Sequence, residues 1–217
     1  MRDLRIIFMG TPDFAVAILK HLIVNKYQVV GVITAPDKAA GRGRKINESA
    51  VKKYARSQDL HTLQPSNLKD QDFLATLKTL NANLQIVVAF RMLPKVVWQM
   101  PEFGTFNLHA SLLPAYRGAA PIHWALINGE TTTGVTTFFI DDKIDTGEII
   151  LQEEIPILAN ETVGTLHDNL MQLGATLVSK TIDYISTGGI KTVKQPDLEE
   201  KSAPKLNVEN TAINWNA

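Results

Sequence analysis

The sequence contains no cysteine among its 217 residues. Disulfide bonds, thiolate nucleophiles and most structural zinc sites are therefore excluded, and any chemistry must come from oxygen and nitrogen side chains. Its 22 basic residues are balanced by 22 acidic ones, which argues against the overall basic field of a general nucleic-acid binder. No apolar run reaches the roughly eighteen residues of a membrane span. We therefore expect a cytoplasmic protein without a signal peptide.

Short apolar runs alternate with amphipathic stretches along most of the chain. Residues 4–8, 28–34 and 84–89 have the length and the β-branched content of buried strands. Segments with helical spacing of apolar residues lie between these runs, and the longest covers residues 163–186. This alternation predicts an α/β fold with a Rossmann-like, mostly parallel sheet and helices on both faces.

The first turn, Gly10-Thr11-Pro12, lies between a predicted strand and a predicted helix. Thr11 is the expected helix cap, with Pro12 in the first helical turn. A dinucleotide-binding loop would carry two further glycines, which are missing here. A capped turn that lines a cleft is thus the better interpretation than a phosphate site.

Polar residues crowd the end of the predicted strand at residues 105–108. Asn107 and His109 alternate along this strand, so their side chains point to the same side, and Asp145 lies in a turn between two later strands. An amide, an imidazole and a carboxylate can stabilise an oxyanion and move a proton. The residues alone leave a second interpretation open, in which the histidine is only hydrogen-bonded and the aspartate only caps a turn.

The other four histidines lack a comparable polar neighbourhood and are expected to be structural or surface residues. They are His21, His61, His123 and His167. The five histidines together show no spacing typical of metal ligands, and we expect no metal.

A longer motif extends this cluster. The string NLHASLLPAYRGAAPI at residues 107–122, with DTG at residues 145–147, resembles the formyltransferases that use 10-formyltetrahydrofolate. The opening IIFMGTPDFA and the segment ITAPDKAAGRGRK are similar to the branch of that family that acts on methionyl-tRNA. The resemblance covers nearly the whole chain and implies the formyltransferase fold.

The resemblance also implies a reaction, in which a formyl group passes from the folate to the α-amine of methionine on initiator tRNA, for translation initiation. Asn107 and His109 would stabilise the tetrahedral oxyanion, while Asp145 would orient His109 and assist proton transfer. Which of His109 and Asp145 takes the proton stays open.

The family likewise implies where the folate binds. Its pterin would lie along the segment after the strand at 84–89, and further contacts would come from the motif itself. The first set is Val88, Ala89, Phe90, Arg91, Met92 and Leu93, and the second is Ser111, Leu112, Leu113 and Pro114. Many relatives have a tyrosine and a glycine in the first segment, which here is a residue shorter and reads Phe90-Arg91-Met92.

A cluster of basic residues matches the loop with which the family contacts tRNA. It consists of Lys38, Arg42, Arg44 and Lys45. From composition alone a solvated surface loop is the better interpretation, because basic residues normally face water, and the resemblance reverses that preference. Members of the family carry a further C-terminal β-barrel. The resemblance thus implies a catalytic domain over residues 1–198, with residues 199–217 beginning the linker to a barrel that is absent from this sequence.

Two other functions remain to be weighed. The first is a formyltransferase with a small acceptor, such as an amino-sugar nucleotide or glycinamide ribonucleotide, for which the basic loop is not needed. The second is a folate- or nucleotide-binding module without activity, against which the intact Asn107, His109 and Asp145 argue.

Overall fold

The computed structural model describes residues 2–40, 45–196, 201–213 and 215. A seven-stranded sheet forms its centre. The strands are β1 (Ile6–Gly10), β2 (Val29–Ile33), β5 (Thr62–Leu63), β6 (Leu84–Val88), β7 (Thr105–His109), β9 (Thr132–Phe139) and β10 (Ile149–Pro156). Their order across the sheet is β10-β9-β7-β6-β1-β2-β5.

Six helices and four short strands complete the described part of the chain. The helices are α1 (Asp13–Val24), α2 (Ala50–Ser57), α3 (Gln71–Thr79), α4 (Lys95–Trp98), α5 (Pro121–Ile127) and α6 (Val163–Thr187). The short strands are β3 (Lys38–Ala40), β4 (Lys45–Asn47), β8 (Arg117–Gly118) and β11 (Ser202–Ala203).

The order of the strands creates a crevice at the carboxyl ends of the strands. The chain runs outward from β1 through β2 to β5, then returns to the other side of β1 with β6 and β7, all parallel. Strands β9 and β10 then add antiparallel to this half. Ligands of open α/β sheets bind at such a reversal, outside the carboxyl ends of the strands. Strands β6 and β7 end there, at Val88 and His109.

Alternation along β1 shows how the two faces of the sheet are covered. Ile6 and Phe8 are buried among apolar side chains of α1 and α6, whereas Ile7 and Met9 are buried against α3 and α4. Successive strand residues point to opposite faces, so a continuous apolar run is needed where helices cover both. The predicted fold class is confirmed.

Local details differ from the prediction in places. Helix α1 is preceded by Pro12 without a side-chain cap, so the prediction that Thr11 caps it was wrong. A Cβ on Gly10 would lie 2.5 Å from the Cβ of Ala15, which shows that this glycine allows the helix to approach the sheet closely. The end of α6 at Gly188, with φ of 82°, agrees with its prediction.

The four short strands were not foreseen. Strands β3 and β4 pair antiparallel, and β11 pairs parallel with β8. Ala203 is fully buried there, so part of the predicted tail packs onto the domain. The domain limit at residue 198 stays a prediction. Within the described residues, no helix has the length and apolarity needed to cross a membrane.

Candidate active site

His109 ends β7 and is 7% exposed. Its Nε2 lies 2.8 Å from the carbonyl oxygen of Tyr116. Because a carbonyl oxygen only accepts, Nε2 must carry the hydrogen of this bond. This leaves Nδ1 as the ring nitrogen that can exchange a proton or form a hydrogen bond with a ligand.

Asp145 approaches that nitrogen from the turn between β9 and β10. Its Oδ2 accepts a hydrogen bond of 2.9 Å from the amide of Gly118 and lies 3.8 Å from Nδ1 of His109. A separation of 3.8 Å is too long for a hydrogen bond but short enough for strong electrostatic attraction when the imidazole is charged. Catalytic contacts often tighten only when substrate binds.

Asn107 lies two residues before His109 on the same strand, and both side chains line one cavity of about 630 Å³ together with Asp145. Among the residues that the structure describes, the side-chain amide of Asn107 has no hydrogen-bond partner. A half-buried amide of this kind has donors to offer to a ligand. The structure therefore brings together all three residues that the sequence singled out.

Most of the predicted pterin segment also lines the cavity. Its contributors are Ala89, Phe90, Arg91, Met92 and Leu93. Val88 instead is fully buried in the core beneath α1 and α6. Arg91 donates to the carbonyls of Pro65 and Ser66, which holds the segment against a neighbouring loop.

The second predicted set of folate contacts does not reach the cavity wall. It comprises Ser111, Leu112, Leu113 and Pro114. Ser111 is buried and its hydroxyl donates to the carbonyl of Ala115 at 2.7 Å. The backbone amide of Leu113 donates to the hydroxyl of Thr136 at 3.2 Å. These four residues form the turn that precedes Tyr116, and their contact with folate stays a prediction.

Two further histidines line the cavity. They are His123, from α5, and His167, from α6, and the expectation that they are structural or surface residues stays a prediction. The ring of His167 packs edge-on against Phe14, with 5.2 Å between the ring centroids. No local signal identifies them, because each lies on an ordinary amphipathic helix and meets the cavity only through packing.

Three residues of the site have positive φ angles that favour glycine. They are Ala89 (47°), Tyr116 (61°) and Asp145 (55°). Such angles cost of the order of 1–3 kcal/mol for a non-glycine residue and are found where surrounding contacts hold them, often at functional sites. All three lie on the loops that follow β6, β7 and β9.

The basic cluster is only partly described. Lys38 is exposed at the start of β3, Arg42 and Arg44 lie outside the described residues, and the side chain of Lys45 is likewise not described. The base of this β3–β4 hairpin is tied to α2, because Lys52 pairs with both Asp37 and Glu48. These bonds raise the pKa of Lys52, with the hydrogen bond to Asp37 as the largest cause.

A cavity at the sheet reversal, with donors on one strand and a carboxylate opposite, fits a group-transfer enzyme whose substrate brings its own nucleophile. Within residues that the structure describes, no group of three potential metal ligands occurs. Residues 4–182 match the family model described as formyl transferase. The chain belongs to this formyl transferase family.

Curated relatives resemble nearly the whole chain. A methionyl-tRNA formyltransferase of Flavobacterium johnsoniae is 67% identical over 216 residues, which is 99% of this chain and 69% of the relative. A methionyl-tRNA formyltransferase of Bacteroides fragilis is 57% identical over 218 residues, covering 99% of this chain and 67% of the relative.

Solved structures support the fold at lower identity. An N-formyltransferase from Helicobacter canadensis, in complex with folinic acid and dTDP-3-aminofucose, has a TM-score of 0.71 at 24% identity and covers 99% of this chain and 76% of its own. Glycinamide ribonucleotide transformylase 1 from Symbiobacterium toebii has a TM-score of 0.73 at 19% identity, covering 89% of this chain and 94% of its own.

Proposed function

We propose that the chain transfers a formyl group from 10-formyltetrahydrofolate to the α-amine of methionine esterified to initiator tRNA, in the cytoplasm, for translation initiation. The observation that carries the chemistry is the convergence of Asn107, His109 and Asp145 on one cavity. The acceptor is supported by the relatives of 57% and 67% identity named methionyl-tRNA formyltransferase.

The cavity suits a flat, partly apolar donor. A volume of about 630 Å³ is typical of sites for molecules of this size. Met92 and Ile144 line it although they are 65% and 62% exposed, so large apolar side chains stand at the wall with little protein packed over them. They would cover the pterin ring, while backbone groups of the segment from Ala89 to Leu93 would hydrogen-bond its edge.

The three polar residues would divide the chemistry. The amide of Asn107 and Nδ1–H of protonated His109 would donate to the formyl oxygen, where negative charge develops as the amine attacks. Nε2–H of His109 stays bound to Tyr116 throughout. Asp145 would stabilise the charged ring and receive the proton that the attacking amine loses, since its contact with Gly118 engages only Oδ2. The bond between the formyl carbon and N10 of the folate would then break, and N10 would take up a proton in exchange, so that the donor leaves as tetrahydrofolate.

The tRNA would be held partly by the basic cluster of Lys38, Arg42, Arg44 and Lys45. Contacts from lysine and arginine to phosphates weaken as salt rises, because counterions are released on binding. A small acceptor needs no such cluster. We therefore expect the salt dependence of the reaction to lie in the binding of tRNA and not in that of the folate.

Single-turnover formyl transfer tests this function. The enzyme with 10-formyltetrahydrofolate is offered methionyl initiator tRNA, an amino-sugar nucleotide and glycinamide ribonucleotide in parallel, at low and moderate salt. Transfer to the tRNA alone, weakened by salt, is the expected result. Transfer to a small amine would overturn the acceptor, and folate binding without transfer to any of the three would contradict the proposed activity.

A further inference from the structure

The chain returns to the active site after α6. Val193 forms an isolated β-bridge with Ile149 at the start of β10, with hydrogen bonds of 2.8 and 2.9 Å in the two directions. Further on, β11 pairs with β8, which directly follows Tyr116, the residue whose carbonyl binds His109. The segment before β11 that is described, up to residue 196, thus lies against the turn that carries Asp145.

Gln195 is the residue of this segment that touches both sides of the site. It is 7% exposed. Its Nε2 donates to the carbonyls of Asp145 at 3.0 Å and Gly147 at 2.7 Å. Its Oε1 accepts from Nε of Arg117 at 3.1 Å and from Nη2 at 2.6 Å.

The chemistry of these partners determines the orientation of the amide. A guanidinium only donates and backbone carbonyls only accept, so exchanging the amide nitrogen and oxygen would break all four bonds. Both hydrogens and both lone pairs of the Gln195 amide are used. Because all its hydrogen-bonding groups have partners, the buried side-chain amide of Gln195 is fixed in one orientation.

The two groups bridged by Gln195 are those that set the distance between imidazole and carboxylate. On one side, Tyr116 holds Nε2 of His109, and the neighbouring residues Arg117 and Gly118 follow directly in the chain. On the other side, Asp145 has a φ of 55° and offers its carboxylate to the amide of Gly118. Gln195 joins Arg117 to the backbone of Asp145.

Gly147 shows how tightly this turn is placed. A Cβ added there would lie 1.6 Å from the carbonyl oxygen of Phe139 at the end of β9. The turn therefore packs closely on the sheet at Gly147, and Gln195 holds it through the carbonyls of Asp145 and Gly147. Without the Gln195 amide, the carbonyls of Asp145 and Gly147 would each lose a hydrogen-bond donor, and we expect the turn to shift relative to His109.

We propose that Gln195 is a positioning residue that keeps the carboxylate of Asp145 at its working distance from Nδ1 of His109. This inference rests on the proposed function, in which His109 and Asp145 act together. Displacing a catalytic group by about 1 Å can lower the rate on the order of 100-fold. We expect loss of Gln195 to lower kcat by about tenfold to a hundredfold, with little change in the KM of either substrate.

The experiment compares two variants of Gln195 with a matched control. Gln195→Met removes both halves of the amide at similar volume, whereas Gln195→Glu keeps an acceptor for Arg117 and replaces the donors to the turn with a carboxylate oxygen that only accepts. If Gln195→Met does not fold, Gln195→Glu provides the measurement. Gln152→Met is the control, because Gln152 also donates two internal bonds, of 2.9 Å each to Leu113 and Thr136, away from the turn.

A double-mutant cycle with Asp145→Asn separates positioning from general destabilisation. If Gln195 acts through the carboxylate, adding Gln195→Met or Gln195→Glu to Asp145→Asn should lower kcat by no more than about twofold, although the same change is costly alone. The control Gln152→Met should lower the free energy of unfolding without lowering kcat more than about twofold.

Three outcomes overturn the inference. The first is wild-type kcat in the Gln195 variants while Asp145→Asn is inactive. The second is a loss of kcat that is as large in the Asp145→Asn background as it is alone, and the third is an equal loss of kcat in Gln152→Met. In each of these cases the proposed function stands. Wild-type activity of Asp145→Asn itself would instead refute the role of Asp145 in the proposed function and this inference with it.

Discussion

The negative charge on Asp145 is the part of the proposed mechanism that one substitution removes most selectively. Asp145→Asn preserves the size of the side chain and an oxygen that can accept from the amide of Gly118. The carboxylate oxygen lies 3.8 Å from Nδ1 of His109. With an effective dielectric constant of about 20, a unit charge at that distance stabilises a charged imidazole by about 4 kcal/mol.

The rate effect follows from this energy. If the full interaction develops only in the transition state, about 4 kcal/mol corresponds to roughly a thousandfold in rate. The side chain is 14% exposed, so partial screening reduces the figure, and we expect kcat to fall by about 10²–10³-fold. The free energy of unfolding should change by less than about 1 kcal/mol, because the bond to Gly118 can be kept.

The assay is single-turnover formyl transfer at saturating folate and methionyl-tRNA, with urea denaturation to compare stability. Asp141→Asn is the matched control. Asp141 lines the same cavity, but its carboxylate accepts from the amide of Lys143 and the hydroxyl of Thr146. The control should lose less than about tenfold. Full activity of Asp145→Asn, or an equal loss in Asp141→Asn, would refute the reasoning.

Two further predictions concern the framework of the site. Gly118→Ala should lower the free energy of unfolding by about 2–4 kcal/mol, because φ is 125° and the new Cβ would lie 2.5 Å from the carbonyl oxygen of Ala203. Urea denaturation measures this change. Gly129→Ala is the control and should lower the free energy of unfolding clearly less, because Gly129 has a φ of 67° and open space around it. Hydrogen bonds lower the pKa of the Glu130 carboxyl from its ordinary value of 4.5, and the bond from Lys201 is the largest cause. The ionised Glu130 therefore stabilises the fold above pH 4.5, and this stabilisation is lost as the pH falls through the lowered pKa. Glu130→Gln should make the free energy of unfolding depend less on pH in acid denaturation. An unchanged dependence on pH would contradict this role of Glu130.

Much of the sheet was predictable because its signal is local. Buried parallel strands need continuous apolar runs, and those at β1, β2 and β6 are visible in the sequence. The end of α6 at Gly188 is equally local, since a left-handed residue there favours glycine. The strands β8 and β11 have two residues each, too few for a periodicity, and form because distant segments meet.

The candidate site also has a part that the sequence predicts and a part that depends on the tertiary structure. Asn107 and His109 are close in sequence and share a strand, so the period of two alone predicts that they face one side. The contact of His109 with Asp145, 36 positions later, was only a hypothesis before the structure placed them 3.8 Å apart. The predicted folate contacts from Ser111 to Pro114 are not among the residues that line the cavity, and the position of this segment depends on the hydrogen bonds of its turn.

By itself, the sequence determined the class of fold, the family and the identity of the three polar residues, because each depends on local composition or a contiguous motif. Only the tertiary structure decided which further residues face the cavity, as with His123 and His167, and which residue holds the site together. Gln195 lies 50 positions beyond Asp145 in the chain. Its contacts arise from the packing of the whole domain, and no local pattern records them.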